Sequence, residues 1–208
     1  MIRSTLKAVS AAALLAGAAG FSAFAADAPN FAEDAPSGLY KADQGHRYIA
    51  FTYSHQGFSN PIIAVDDWTA DLNWDAADVT KSTVNVTIQT ASIDTGVEAF
   101  DKHIKSGDMF DVEKHPTITF TSTSVEKTGD DTGKITGDLT IKGVTKPVVL
   151  DATFNKAAFV DRAETHKIGF SAKTTIMRSE FGVDYAVPFV GDAVEIVIES
   201  EFDRVKDE

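Results

Sequence analysis

The chain has 208 residues, with 31 acidic against 19 basic side chains and no cysteine. The missing cysteines exclude a disulfide framework, so stability has to come from a sizeable core, which one domain of this length can build. The net charge of −12 argues against nucleic acid and anionic membrane surfaces as partners and favours a soluble protein.

The first residues read as an address label. Arg3 and Lys7 give a positive start, an apolar run follows from Ala8 to Gly20, and Ala23-Phe24-Ala25 has the small-x-small form of a cleavage site. The run is too short for a spanning helix, so the chain is not expected to be an integral membrane protein. The expectation is a cleaved signal peptide over residues 1–25, a mature start at Ala26 and export from the cytoplasm. Without Arg3 and Lys7, 17 bases face 31 acids, a balance of −14. Pro29, Pro36 and Gly38 then stand among small and acidic residues without apolar period, which predicts a flexible leader over 26–39.

From Tyr40 onward apolar and polar residues alternate, the period of a half-buried strand. Strands are predicted over 48–55, 68–74 and 82–90. In the third, Val84, Val86 and Ile88 share the face opposite Thr83, Asn85 and Thr87. Ser92-Ile93-Asp94-Thr95-Gly96 then breaks the pattern and offers side-chain acceptors to cap a short helix over 97–106. Val97, Phe100 and Ile104 form its apolar stripe. Glu98 with Lys102, and Asp101 with Lys105, stand at the spacing of helix-surface ion pairs.

Strand signals resume over 117–125, turn through the glycine-rich 128–133 and return over 134–142. Gly143 makes the next turn, and Pro147 opens a strand that runs to 155. Segments 167–177 and 193–202 complete the set. On 167–177, Ile168, Phe170, Ala172, Thr174 and Ile176 are predicted to face inward, with Lys167, Gly169, Ser171, Lys173 and Thr175 outward.

Eight strands, one short helix and mostly short connections predict an all-β fold: an eight-stranded antiparallel barrel. An open sandwich would leave edges to protect, and few charges or prolines sit in mid-strand to protect them. A barrel of eight strands is either filled by its own side chains or just wide enough for one small ligand.

No serine-nucleophile signature, glycine-rich phosphate loop or histidine-rich metal motif occurs. The alternative source of chemistry is an envelope enzyme or metal site built on Asp101, His103 and Asp108. Asp101 and His103 are two apart on a helix and so point about 200° apart. Asp94, Asp101 and Asp108 would be spaced by about 10.5 Å along a continuous helix, too far to share one ion. The expectation is therefore no catalytic residue, no metal and no cofactor.

Four blocks carry a family resemblance. They are Ala91-Ser92-Ile93-Asp94-Thr95-Gly96 with Asp101-Lys102-His103-Ile104-Lys105-Ser106-Gly107-Asp108-Met109-Phe110-Asp111, then His115-Pro116-Thr117-Ile118-Thr119-Phe120-Thr121-Ser122-Thr123, then Gly137-Asp138-Leu139-Thr140-Ile141-Lys142-Gly143-Val144-Thr145-Lys146-Pro147-Val148, and Arg178-Ser179-Glu180-Phe181-Gly182. In this order they resemble the YceI family of lipid-binding, lipocalin-like proteins, and the likeness covers nearly all of 40–202. Two departures stand out: Arg47 follows His46 where the family usually has serine, and Ile63-Ala64-Val65 replaces a glycine-x-phenylalanine.

The resemblance implies a lipocalin-like barrel over 40–204 with a helix near one end, a hydrophobic lumen and a periplasmic or secreted location. It also implies a ligand, a polyisoprenoid or isoprenoid-quinone lipid, held by a carrier with no catalytic step. The expected wall residues are Phe51, Trp68, Phe120, Phe170, Ala172 and Ile176, with Phe100, Ile104 and Phe110 from the helix region. Arg178 is the head-group candidate, with Glu180 or Asp184 as the partners of a purely structural role. The reading leaves room for a homodimer.

Overall fold

The computed structural model describes residues 34–206, so the expected signal peptide lies outside the described residues. In chain order they form β1 (Gly38–His55), β2 (Ile62–Val65), β3 (Trp68–Trp74), β4 (Thr83–Gln89), β5 (Ile93–Asp94) and helix α1 (Glu98–Ile104). Then follow β6 (Thr117–Lys127), β7 (Thr132–Ile141), β8 (Val144–Val160), β9 (Thr165–Met177) and β10 (Val190–Arg204). Strands β1, β3, β4, β6, β7, β8, β9 and β10 pair antiparallel in that order, and β10 closes back on β1. This is the eight-stranded barrel that the alternation predicts.

The two additional strands arise because the wall breaks. The first half of β1 pairs with β3, from Gly38 opposite Trp74 to Lys41 opposite Asp71, and its second half pairs with β2, from Ile49 opposite Val65 to Thr52 opposite Ile62. β2 and β3 thus act as one strand kinked at Asp66 and Asp67. β4 and β5 break in the same way at Thr90 to Ser92, which sets β5 beside β2.

β1 starts ten residues before the predicted 48. Its register against β10 shifts between Ala42 and Arg47, and inside this bulge the Gly45 amide donates to Asp43 Oδ1 at 2.9 Å. Tyr40 and Ala42 are buried before it, Ile49 after it, so the extra residues change the parity of the inward face. Residues 34–39, the end of the predicted flexible leader, are packed instead. Ala35 is fully buried and its carbonyl accepts from Trp74 Nε1 at 2.9 Å, while the Tyr40 hydroxyl donates to the Pro36 carbonyl at 2.8 Å.

These residues cover one end of the barrel, the leader end. There aromatic rings pack on one another: the Phe170 ring meets Phe154 at 5.8 Å and both Trp74 and Phe202 at 6.1 Å. α1 lies at the other end. It is shorter than predicted, and Val97 at its N-cap makes no side-chain cap. Instead Asp101 reaches back to accept from the Thr95 amide and hydroxyl at 2.8 and 2.7 Å. The predicted Glu98–Lys102 pair forms at 2.7 Å, whereas Asp101 takes its hydrogen bonds from Thr95 and feels Lys105 through charge alone.

Candidate ligand-binding cavity

Alternation on eight strands turns every second residue inward, and a barrel of this size can leave room for a ligand between them. The barrel encloses a cavity of about 960 Å³, at the upper end of the roughly 300–1,000 Å³ typical of small-molecule sites. Its wall extends from Val79 and Val125 at the leader end to Tyr53, Val97 and Tyr185 at the helix end. The space is elongated along the barrel and its wall is dominated by aliphatic and aromatic side chains.

All nine predicted wall residues border this cavity. Phe51 comes from β1, Trp68 from β3, Phe120 from β6, and Phe170, Ala172 and Ile176 from β9. Phe100 and Ile104 come from α1 and Phe110 from the turn after it. Trp68, Ile104, Phe120 and Ile176 are buried, and the other five are half-buried. Ala172 stands opposite Ala152 on β8 and Ile198 on β10, so two alanines side by side leave the lumen wide at that level. Periodicity misses Ile63 and Val65, which also line the wall, because four residues of β2 are too few to display a period.

The wall, the closure and the helix cover fall in the segment matched by a family model described as a YceI-like domain, residues 40–202. The chain belongs to the YceI-like family. This YceI-like protein is 40% identical over 156 residues to a UPF0312 protein of Ectopseudomonas mendocina (strain ymp), which spans 75% of the chain and 81% of that relative. Among solved structures it is similar to the YceI protein of Campylobacter jejuni, at 34% identity and TM-score 0.67 over 72% of this chain and 88% of that one. A polyisoprenoid binding domain from Saccharophagus degradans shares the fold at 12% identity and TM-score 0.64, over 80% and 98% of the two chains.

In this YceI-like barrel Arg178 does not present a free guanidinium to a ligand, which corrects its reading as a head-group candidate. It is buried, and its Nε donates to the Gly191 carbonyl at 2.9 Å. Nη1 donates to the carbonyls of Val183 and Tyr185 at 2.7 and 3.0 Å, and Nη2 to that of Val190 at 3.0 Å. Four N–H groups thus hold the loop between β9 and β10 in place. Burial pulls its pKa down against the nearby Asp192, yet an arginine stays charged. Its hydrogen bonds thus go to main-chain carbonyls rather than to Glu180 or Asp184; Asp184 acts on it through charge alone, and Glu180 lies 3.6 Å from Lys146.

Among the described residues, Asp101, His103 and Asp108 do not bring their metal-capable atoms together. Asp101 is held by Thr95, Asp108 is exposed, and the His103 ring is stacked on Phe100 at 6.4 Å and meets Tyr185 edge-on at 4.7 Å. Among the described residues, metal-capable atoms converge at Asp43, His46 and Glu201, all within 4.8 Å of one another. The Lys167 ammonium already fills that position, 2.6 Å from Asp43 Oδ2 and 2.9 Å from Glu201 Oε2.

Proposed function

We propose that this chain is a periplasmic carrier that holds a long polyisoprenoid lipid, of isoprenoid-quinone type, non-covalently in the barrel lumen. The observation that carries this reading is the elongated apolar cavity of about 960 Å³. The likeness in fold to a polyisoprenoid binding domain supports the choice of ligand. The barrel acts by removing an apolar chain from water, and burying on the order of 300 Å² of it contributes about 7 kcal/mol. Nothing in that step needs a nucleophile, a metal or a cofactor. The covering α1 and the loop pinned by Arg178 shield the chain at the helix end. Residues 1–25 serve as the export signal, and the mature chain begins at Ala26.

Native mass spectrometry of protein purified from its own periplasm without detergent, followed by organic extraction, tests the reading. The expected result is a polypeptide beginning at Ala26 that carries one prenyl lipid. Protein that is repeatedly empty, or filled with straight-chain fatty acids alone, overturns it.

A further inference from the structure

Two strands of the wall break at one level of the barrel, and three polar side chains gather there. Arg47 follows the bulge of β1, on the side of the strand that also carries the cavity-lining Ile49 and Phe51. Trp68 opens β3 just past the kink and lines the cavity. Thr90 is the first residue past β4, two beyond Ile88, which pairs with Trp68, and it is 1% exposed.

Each carries buried polar atoms without a hydrogen-bond partner among the described residues: Arg47 Nε and Nη1, Trp68 Nε1 and Thr90 Oγ1. The Arg47 side chain is only 7% exposed, and its guanidinium carbon lies over the Trp68 ring, 5.1 Å from the centroid. Its charged neighbour is Asp67, 64% exposed and 3.8 Å from Nη2, too far for a hydrogen bond.

Two comparable groups of the same chain have partners. Arg178 spends four N–H groups on carbonyls, and Trp74 gives its Nε1–H to Ala35. Buried donors left unmade are costly and uncommon in folded proteins. Here Trp68 borders the apolar lumen, and Arg47 and Thr90 lie outside its lining, Arg47 against the Trp68 ring. Guanidinium and indole are donors only, so their complement is a group made of acceptor oxygens.

We propose that Arg47, Trp68 and Thr90 form an internal anchor for the head group of the lumen ligand, and that this head bears acceptor oxygens, either the carbonyls of a quinone or the oxygens of a phosphate. The anchor rests on the carrier reading of the same cavity. It places the head deep, at the level where the wall strands break, with the apolar chain extending along the barrel from there.

The test uses lipid-free full-length mature protein and three probes with one C20 prenyl chain: a benzoquinone, a monophosphate and the head-free hydrocarbon. Affinities are read by displacement of one fluorescent prenyl reporter. Wild type is expected to bind a headed probe at least about tenfold more tightly than the hydrocarbon, as hydrogen bonds to a charged donor provide. The headed probe that gains this preference identifies the head group. Arg47→Met should bring the preference within about threefold and leave hydrocarbon affinity unchanged, whereas Trp68→Phe, which keeps an aromatic ring over the guanidinium but alters the wall, should bring the preference within about threefold while shifting the affinity of all three probes together. Equal affinity of all three probes for wild type, or an undiminished preference in the folded variants, overturns the anchor and leaves the carrier standing. Failure of every probe to bind, the hydrocarbon included, overturns the carrier reading and the anchor with it.

Discussion

Gly137 of β7 lies against the Phe120 ring of β6 so closely that a methyl group finds no room between them. A Cβ at this position would also come within 2.6 Å of the Thr121 carbonyl oxygen, a backbone atom that cannot swing aside. Gly137→Ala therefore forces the Phe120 ring toward the lumen and strains the β6–β7 pair, at a cost of about 1–3 kcal/mol. Thermal unfolding should show this as a fall of about 2–4 °C per kcal/mol, together with a smaller bound lipid load. An unchanged melting temperature would mean that the ring and the strand give way freely.

Ala172 and Ala152 stand opposite each other on the cavity wall, and Ala172→Trp tests whether the space beside them is open. In a filled interior the indole would push neighbours off their rotamers and cost about 1–3 kcal/mol or more. In an open lumen it meets apolar contacts already present. The expected variant melts close to lipid-free wild type and copurifies with much less lipid. A badly destabilised variant would reveal a solid core at this level, and a stable one with its full lipid load would place the ligand elsewhere.

Lys167 joins the bulge of β1 to the outer face of β10, reaching Asp43, Glu201 and Asp203 at 2.6, 2.9 and 3.1 Å. Burial alone would raise the Asp43 pKa, but hydrogen bonds from Lys167, His46 and the Gly45 amide outweigh it and hold the carboxyl well below its ordinary 3.8. A carboxylate depressed in the folded state contributes stability that is complete above its unfolded pKa and is lost as the pH falls below that value. Lys167→Met should cost about 2–3 kcal/mol at neutral pH, less than the about 3–5 kcal/mol of a fully buried pair, because both side chains keep some contact with water. Denaturant melts between pH 4 and 2 should then show a flatter loss in the variant, and parallel profiles would contradict the role given to Asp43.

The barrel and most of its wall are legible in the sequence because alternation reports burial directly. Phe170, Ala172, Thr174 and Ile176 sit on the cavity for the reason their spacing suggests. The first half of β1 is hidden by its bulge, since residues 43–46 change which parity faces inward. β2 and β5 are hidden by brevity. The partners of Arg178 are illegible for a different reason: they are main-chain carbonyls of a loop, and any residue supplies one. Asp101 likewise stands at pairing spacing from Lys105, yet a local turn gives its hydrogen bonds to Thr95.

The seam of the barrel joins its first strand to its last, with Tyr40 opposite Arg204 and Ala50 opposite Val197. Contacts of such long sequence separation are slow to form, because the intervening chain must be gathered before they give anything back. A chain emerging from its N-terminus onward cannot seal until residue 204 is free. Up to that moment β1 and β9 both present unpaired main-chain edges, each a template for pairing with another molecule. A chain cut short of β10 would keep both edges open permanently, so the fifteen residues of β10 decide whether the product is a solitary barrel or a seed for aggregation.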